Sequence, residues 1–281
     1  MKIEIINSLS ITQLDGIAWQ IEQVKLGRSD ELWVATPHED AVYLIKKMGL
    51  SPDKVFDMYG QQYFSTIDET KGIWWSDLIV PNESQIVVNQ DGTKSIMSFG
   101  RELAKVRWFS QSKRLVQAVT WYDGDGKIDY KDIYRRDGRL FAKQYFSDGE
   151  LLQSDFYLGN NKVVVQDFYA DGHCNLVVAF GQKFRRQSDY IANVGNQHVD
   201  NQYNVTQLGR SIDFAPQKTK LTLFNDVTDK NGHVLKEVSD ILKNKHHPIE
   251  SVWVKPQDAI TLKMSGLPGQ KVHVIRTERH K

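Results

Sequence analysis

Pairs of bulky residues recur about every 12 positions through the middle of this chain: Trp108-Phe109, Trp121-Tyr122, Ile133-Tyr134, Tyr145-Phe146, Phe156-Tyr157 and Phe168-Tyr169. Most are followed within four residues by a turn signal, namely Asp123-Gly124, Asp137-Gly138, Asp148-Gly149, Gly159-Asn160 or Asp171-Gly172. Asp-Gly supplies the positive φ that tight hairpins need, and aromatic rings suit a pleated, half-buried surface. A strand of about eight residues plus a short turn gives this period, so the segment is predicted to be an antiparallel β-meander of up to seven strands. Neighbouring strand residues point to opposite faces. Each pair is therefore expected to put one ring into packed structure and leave its partner exposed for a binding partner. The candidates for that partner-binding role are Trp121, Tyr134, Tyr145, Phe146, Phe156, Tyr157, Phe168 and Tyr169.

The flanks follow another rhythm. Lys2 to Asn7, Glu31 to Ala35 and Lys54 to Met58 are predicted strands, separated by helices over Thr12 to Leu26 and Asp40 to Met48. Beyond the meander, predicted strands at Leu221 to Phe224, Ser251 to Val254 and Lys271 to Ile275 alternate with helices over His233 to Leu242 and Gln257 to Met264. Alternating strands and helices with short links signal a parallel, Rossmann-like sheet. Neither flank holds enough strands for a full sheet. The fold class is therefore α+β, a Rossmann-like α/β domain with an inserted antiparallel meander. The expected boundaries are 1–73 with 218–281 for the α/β domain and 74–180 for the sheet. Residues 181–217, rich in Asn and Gln, are expected to be a polar connection.

Composition narrows the function classes. Lys and Arg number 36 against 35 Asp and Glu, a formal charge of +1, so no global field recruits nucleic acid or an anionic membrane. The single cysteine, Cys174, excludes an internal disulfide framework and a multi-cysteine zinc site. No run approaches about 18 uninterrupted apolar residues, and the opening residues do not form a signal peptide, so a cytoplasmic protein is expected.

Catalytic signals are thin. The turn after the first strand is Ser8-Leu9-Ser10, with no Gly-x-Gly to cradle a phosphate. His198 and Asp200 share a polar loop but lack any Gly-x-Ser-x-Gly nucleophile motif. Adjacent His246 and His247 point in different directions on any regular element, so a basic loop is the better reading than a metal site. Asp123, Asp125, Asp129 and Asp132 imitate calcium-loop spacing, but Lys127, Ile128 and Tyr134 occupy positions that the EF-hand gives to ligands and glycine. No catalytic residue, cofactor or metal is expected, and the chain reads as a binding protein more than an enzyme.

Three further stretches carry a family resemblance: Asp15-Gly16-Ile17-Ala18-Trp19-Gln20-Ile21 near the start, Trp74-Trp75-Ser76-Asp77-Leu78-Ile79-Val80-Pro81 ahead of the sheet, and Lys105-Val106-Arg107-Trp108-Phe109 leading to Tyr122-Asp123-Gly124-Asp125-Gly126. Together with the meander they resemble the GT-B glycosyltransferases of bacteria that carry an inserted extended β-sheet. Within that group they look most like the first accessory Sec protein of Gram-positive bacteria, a non-catalytic relative. The resemblance implies one incomplete GT-B-like half. It also implies a non-enzymatic role in accessory Sec export, with other accessory Sec proteins and a serine-rich glycosylated adhesin as partners, at the inner face of the membrane. The alternative it implies is a glycosyltransferase, or an accessory subunit of one, whose sheet grips the acceptor protein.

Overall fold

The computed structural model describes residues 1–112 and 114–275, which divide into two compact units. One comprises Met1–His38, Tyr43–Phe64 and Ser188 onwards, and the other Glu39–Val42 with Ser65–Gln187.

In the first unit the chain runs β1 (Lys2–Ile6), α1 (Asp15–Lys25), β2 (Glu31–Val34), then helix α2 (Ala41–Lys47), whose first two residues cluster with the other unit, and β3 (Val55–Asp57) and β4 (Gln62–Tyr63). The insertion comes next as β5 (Ser84–Val88), β6 (Lys94–Ser98), β7 (Arg101–Trp108), β8 (Val116–Tyr122), β9 (Ile128–Tyr134), β10 (Leu140–Ser147), β11 (Glu150–Phe156), β12 (Val165–Ala170), β13 (His173–Ala179) and β14 (Gln182–Phe184). The chain then returns through α3 (Gln187–Asn196), β15 (Gln202–Val205), α4 (Arg210–Asp213), β16 (Thr219–Thr222), α5 (Lys236–Lys243), β17 (Ile249–Val254), α6 (Pro256–Met264) and β18 (Val272–Val274).

The first unit is an eight-stranded sheet in the order β18-β17-β16-β15-β1-β2-β3-β4, parallel except for the short β3–β4 pair. Strands on either side of β1 are therefore drawn from before and after the insertion. Apolar residues of one face, such as Ile3, Ile5, Val205, Leu221 and Val252, are at most 1% exposed. Residues 181–217 are not the polar connection expected. They supply α3, whose Tyr190, Ile191 and Val194 are buried, and β15, which pairs with β1 at the centre of the sheet. The strand escaped notice because only two of its four residues, Tyr203 and Val205, are apolar.

Asp57 ends β3 with its carboxylate accepting from the Tyr59 amide at 2.9 Å. Burial pushes its pKa up to about 6 from 3.8, against the pull of the Gly60 and Tyr59 amides. Between those values the folded protein holds this proton more tightly than the unfolded chain. Stability from this group is therefore full below about pH 4 and is lost as pH rises through about 6. Asp57→Asn keeps an acceptor and removes the buried charge. Urea unfolding should find it more stable than the parent at pH 7 by on the order of 2 kcal/mol, with the gap closing near pH 4. A gap that is absent at pH 7, or unchanged with pH, would contradict this.

The second unit is a ten-stranded antiparallel sheet in strictly sequential order, β14 through β5, three strands more than the period predicts. Five of its hairpins share a construction. Gly100, Gly126, Gly138, Gly149 and Gly172 have φ between 74° and 85°, and in three of these turns the preceding Phe99, Asp148 or Asp171 is also at positive φ. That is the type I′ geometry whose twist matches the flanking strands. Three residues after each glycine the ladder slips by one. The register skips Leu103, Asp129, Phe141, Leu152 and Asn175, marking a β-bulge in each second strand. Bulges increase local right-handed twist, so each hairpin adds the same turn to the sheet.

Residues 72–80 lie along the sheet as a strap. Ile73, Trp75, Leu78 and Val80 pack on Ile96, Ala104, Val106, Val116 and Val119. Lys94, 7% exposed, places its ammonium 3.9 Å from the Trp108 ring centre and 4.8 Å from that of Trp75. The strap needs glycine at 72, where a Cβ would stand 2.4 Å from the Arg136 carbonyl oxygen.

Candidate interaction surface

The pairing of the second sheet lines up one continuous row across six strands. Trp121 faces Tyr130, Tyr130 faces Tyr145, Tyr145 faces Gln153, Gln153 faces Phe168 and Phe168 faces Leu176. Two residues along, on the same face, runs Asp132, Lys143, Asp155 and Gln166. The members of the first row are all half-buried.

The two rows are bound together. Trp121 and Tyr130 stack at 5.8 Å, and the Trp121 Nε1–H donates to Asp132 at 3.2 Å. Lys143 pairs with Asp132 at 3.5 Å and sits 4.1 Å from the Tyr130 ring centre. Gln153 and Gln166 both donate to Asp155 Oδ1, at 2.7 and 2.9 Å. Burial, assisted by Asp132 and Asp129, raises the Tyr130 pKa, and burial with Asp155 nearby raises that of Tyr145. Their hydroxyls therefore stay protonated at neutral pH and can donate as well as accept. A surface of pre-ordered tyrosine, tryptophan and phenylalanine rings, with Asp132 paired to Lys143 and Asp155 held by two glutamines, suits protein docking.

The predicted aromatics fall into four groups. Trp121, Tyr145 and Phe168 lie in the row, and Tyr134, further along the same face, packs toward the strap cluster with its pKa pushed up to about 12 by burial. Phe146 and Tyr169 point to the opposite face, where Phe146 lies 5.7 Å from the Lys131 ammonium and the Tyr169 hydroxyl donates to Asp167 at 3.2 Å. Tyr157 is half-buried where its strand ends, its amide donating to the Phe141 carbonyl. Phe156 is a correction: it is 9% exposed, edge-on to Phe141, and cannot serve as an exposed anchor.

The expected division of each pair into one buried and one exposed ring holds for neither Tyr145-Phe146 nor Phe168-Tyr169, whose four rings are all half-buried. The opposite face, to which Phe146 and Tyr169 point, is closed by packing, with Ser154, Val165, Asp167, Val177 and Ala179 at most 2% exposed. Tyr130, Lys143 and Gln153 were missed. Only the alternation Ile128, Tyr130, Asp132, Tyr134 along one strand could have flagged the first.

The other sequence signals have local explanations. Ser8 to Ser10 leads into a short 3-10 turn, with Ser8 Oγ accepting from the Ser10 amide at 3.1 Å. His198 stands edge-on to Trp33 at 5.1 Å within an aromatic cluster. His247 Nδ1 accepts from the Ile249 amide at 3.0 Å, and burial lowers its pKa. Asp123 Oδ1 accepts from the amides of Asp125 and Lys127, which makes it a turn brace. Among the described residues no group of three or more His, Cys, Asp or Glu is placed to hold a metal ion, and no helix is long and apolar enough to cross a membrane.

Comparison with known proteins places this sheet. Residues 84–185 match the family model of the GtfB middle domain. No curated protein matches the chain. Among solved structures, the fold is similar to the GtfA/B complex bound to UDP and GlcNAc, with TM-score 0.67 and 16% identity over 98% of this chain and 61% of that one. It is similar to accessory secretory protein 1, 2 and 3 of Streptococcus pneumoniae, with TM-score 0.71 and 12% identity over 99% of this chain and 62% of that one. It is also similar to the Glycosylation Associate Protein (Gap123) complex of Streptococcus agalactiae, with TM-score 0.69 and 13% identity over 99% and 60%. This chain thus spans about three fifths of the length of the structures it matches. It shares the GT-B-like α/β fold with an inserted antiparallel sheet, as its sequence resemblance implied.

Proposed function

We propose that this chain is a non-catalytic binding component of an accessory Sec assembly, in which it engages partner subunits and a serine-rich glycosylated protein on its way to export. The observation that carries the reading is the aromatic row from Trp121 to Phe168, a pre-ordered surface on the one segment that also matches a family model. The occurrence of the fold in accessory secretory and glycosylation-associated complexes supports it. A second reading has its own support in the GtfB middle-domain match and in the UDP- and GlcNAc-bound relative. In it the chain is an accessory subunit of a glycosyltransferase, or a transferase itself, and the sheet holds the acceptor protein.

Tyr145 and Phe168 separate binding from folding. Alanine at both should weaken co-purification of partner subunits from cells that make the protein by at least tenfold, since aromatic anchors dominate such contacts. The circular dichroism of the isolated protein should change little. Undiminished co-purification would remove the row from the account. Calorimetric titration with UDP-GlcNAc decides between the two readings: no heat is expected for the export component, and micromolar binding would favour the transferase.

A further inference from the structure

The parallel sheet of the first unit has two unlike faces where β15, β16 and β17 run side by side. Parallel strands covered on both sides read as continuous apolar runs. These strands alternate: Gln202-Tyr203-Asn204-Val205, Thr219-Lys220-Leu221-Thr222 and Glu250-Ser251-Val252-Trp253-Val254. Tyr203, Val205, Leu221, Val252 and Val254 face one way and are 0–3% exposed. The other face carries Asn204, Lys220, Ser251 and Trp253, and continues onto His273 of β18. Lys220 and Trp253 there are half-buried, while His273 is exposed.

Two adjoining grooves, of about 660 and 500 Å³, run over this face and share Trp19, Lys220 and Trp253 in their walls. Their polar floor is already satisfied from within. Asn204 donates to Glu4 at 2.7 Å and accepts from Thr222 at 2.8 Å, and Ser29 donates to Glu4 at 2.7 Å. What remains for an occupant is aromatic and cationic. Trp253 stacks on His273 at 5.0 Å with 22° between planes, and the Lys220 ammonium lies 4.2 Å from the Trp253 ring centre. Lys2, Arg28, Lys218 and Lys220 line the grooves against Glu250 and the buried Glu4. That basic excess is local, since the whole chain carries only +1.

We infer that this face is a second docking surface, which receives an acidic amphipathic helix from another polypeptide. Three parallel strands about 4.8 Å apart offer a bed close to the roughly 10 Å width of a helix. Apolar side chains of that helix would rest on Trp19 and Trp253, and its carboxylates would meet the lysines at the rim. Complementary charge of this kind sets partner choice and encounter rate. The surface lies wholly in the α/β unit, so its test is independent of the aromatic row.

The test places a photo-reactive benzoylphenylalanine at His273 in cells that naturally make the protein, then maps the cross-linked peptide by mass spectrometry. The expected adduct is a segment of another protein with acidic residues at helical spacing. Reversing charge at the exposed rim with Lys2→Glu and Lys218→Glu should cut its yield at least tenfold, with circular dichroism unchanged. Trp253→Ala should lower the yield similarly. No adduct, an adduct to a basic segment, to lipid or to a second copy of this chain, or a yield indifferent to charge reversal would each overturn the inference.

Discussion

Replacing Arg136 by leucine is expected to destabilise the protein by about 3–5 kcal/mol, the range for breaking a buried ion pair from one side. Arg136 is 3% exposed. Its Nε–H donates to Asp40 Oδ1 at 2.5 Å and an Nη–H to Asp40 Oδ2 at 3.0 Å, a bidentate grip. A further Nη lies 3.6 Å from Glu69, and the guanidinium sits 4.7 Å from the Phe109 ring centre. Lysine should not restore stability, because a single ammonium cannot reproduce the planar fork. The double variant Arg136→Leu with Asp40→Leu should recover much of the loss, since most of the cost is the carboxylate left behind. Urea unfolding of the three variants checks this. A loss below about 1 kcal/mol for Arg136→Leu would show that the pair is not what holds Asp40 in place.

A second large effect is expected at Asn204. Its side chain serves Glu4 and Thr222, and its carbonyl oxygen accepts from Gln20 Nε2 at 3.0 Å. Asn204→Leu strands a buried carboxylate and a buried hydroxyl. At about 1–3 kcal/mol for each unsatisfied group, a loss of about 3 kcal/mol is expected. The loss should also depend on pH. Burial raises the Glu4 pKa, and the hydrogen bonds from Asn204 and Ser29 hold it down. Without Asn204 the folded-state pKa rises further, so the charged form costs more and the deficit should be larger at about pH 7 than near the unfolded carboxylate pKa of about 4.3. Denaturation midpoints at those two values provide the check, and a deficit equal at both would sink the argument.

Asn204 also shows where sequence reading stops. The meander was legible because Asp-Gly turns and paired rings are local signals, and the α/β flanks because Trp33, Ile45 and Val252 fall on helical or strand periods. Central strand β15 was not. Its Gln202 and Asn204 look like loop residues until Glu4, 200 positions away, is placed beside them. The aromatic row was half legible. Trp121, Tyr145 and Phe168 stood out as bulky residues, but which of two adjacent rings shares a face with Tyr130 depends on the pairing of the strands. How exposed each ring is depends on what covers either side. Neither is written in the spacing.

The repeated glycine-and-bulge hairpin has a further consequence. Gly126, Gly149 and Gly172 are 23 residues apart, and each carries its bulge at the same offset. Two strands, not one, are then the smallest piece that can be added or removed without inverting the strands beyond it. Deleting one whole hairpin returns the next strand to the same face and the same twist, whereas deleting a single strand would reverse the direction of every strand after it. The sheet is in effect a ruler graduated in hairpins. Relatives with longer or shorter sheets would be expected to differ by steps of 23 residues, the spacing of these glycines, with the aromatic row lengthened or shortened at one end and unbroken between.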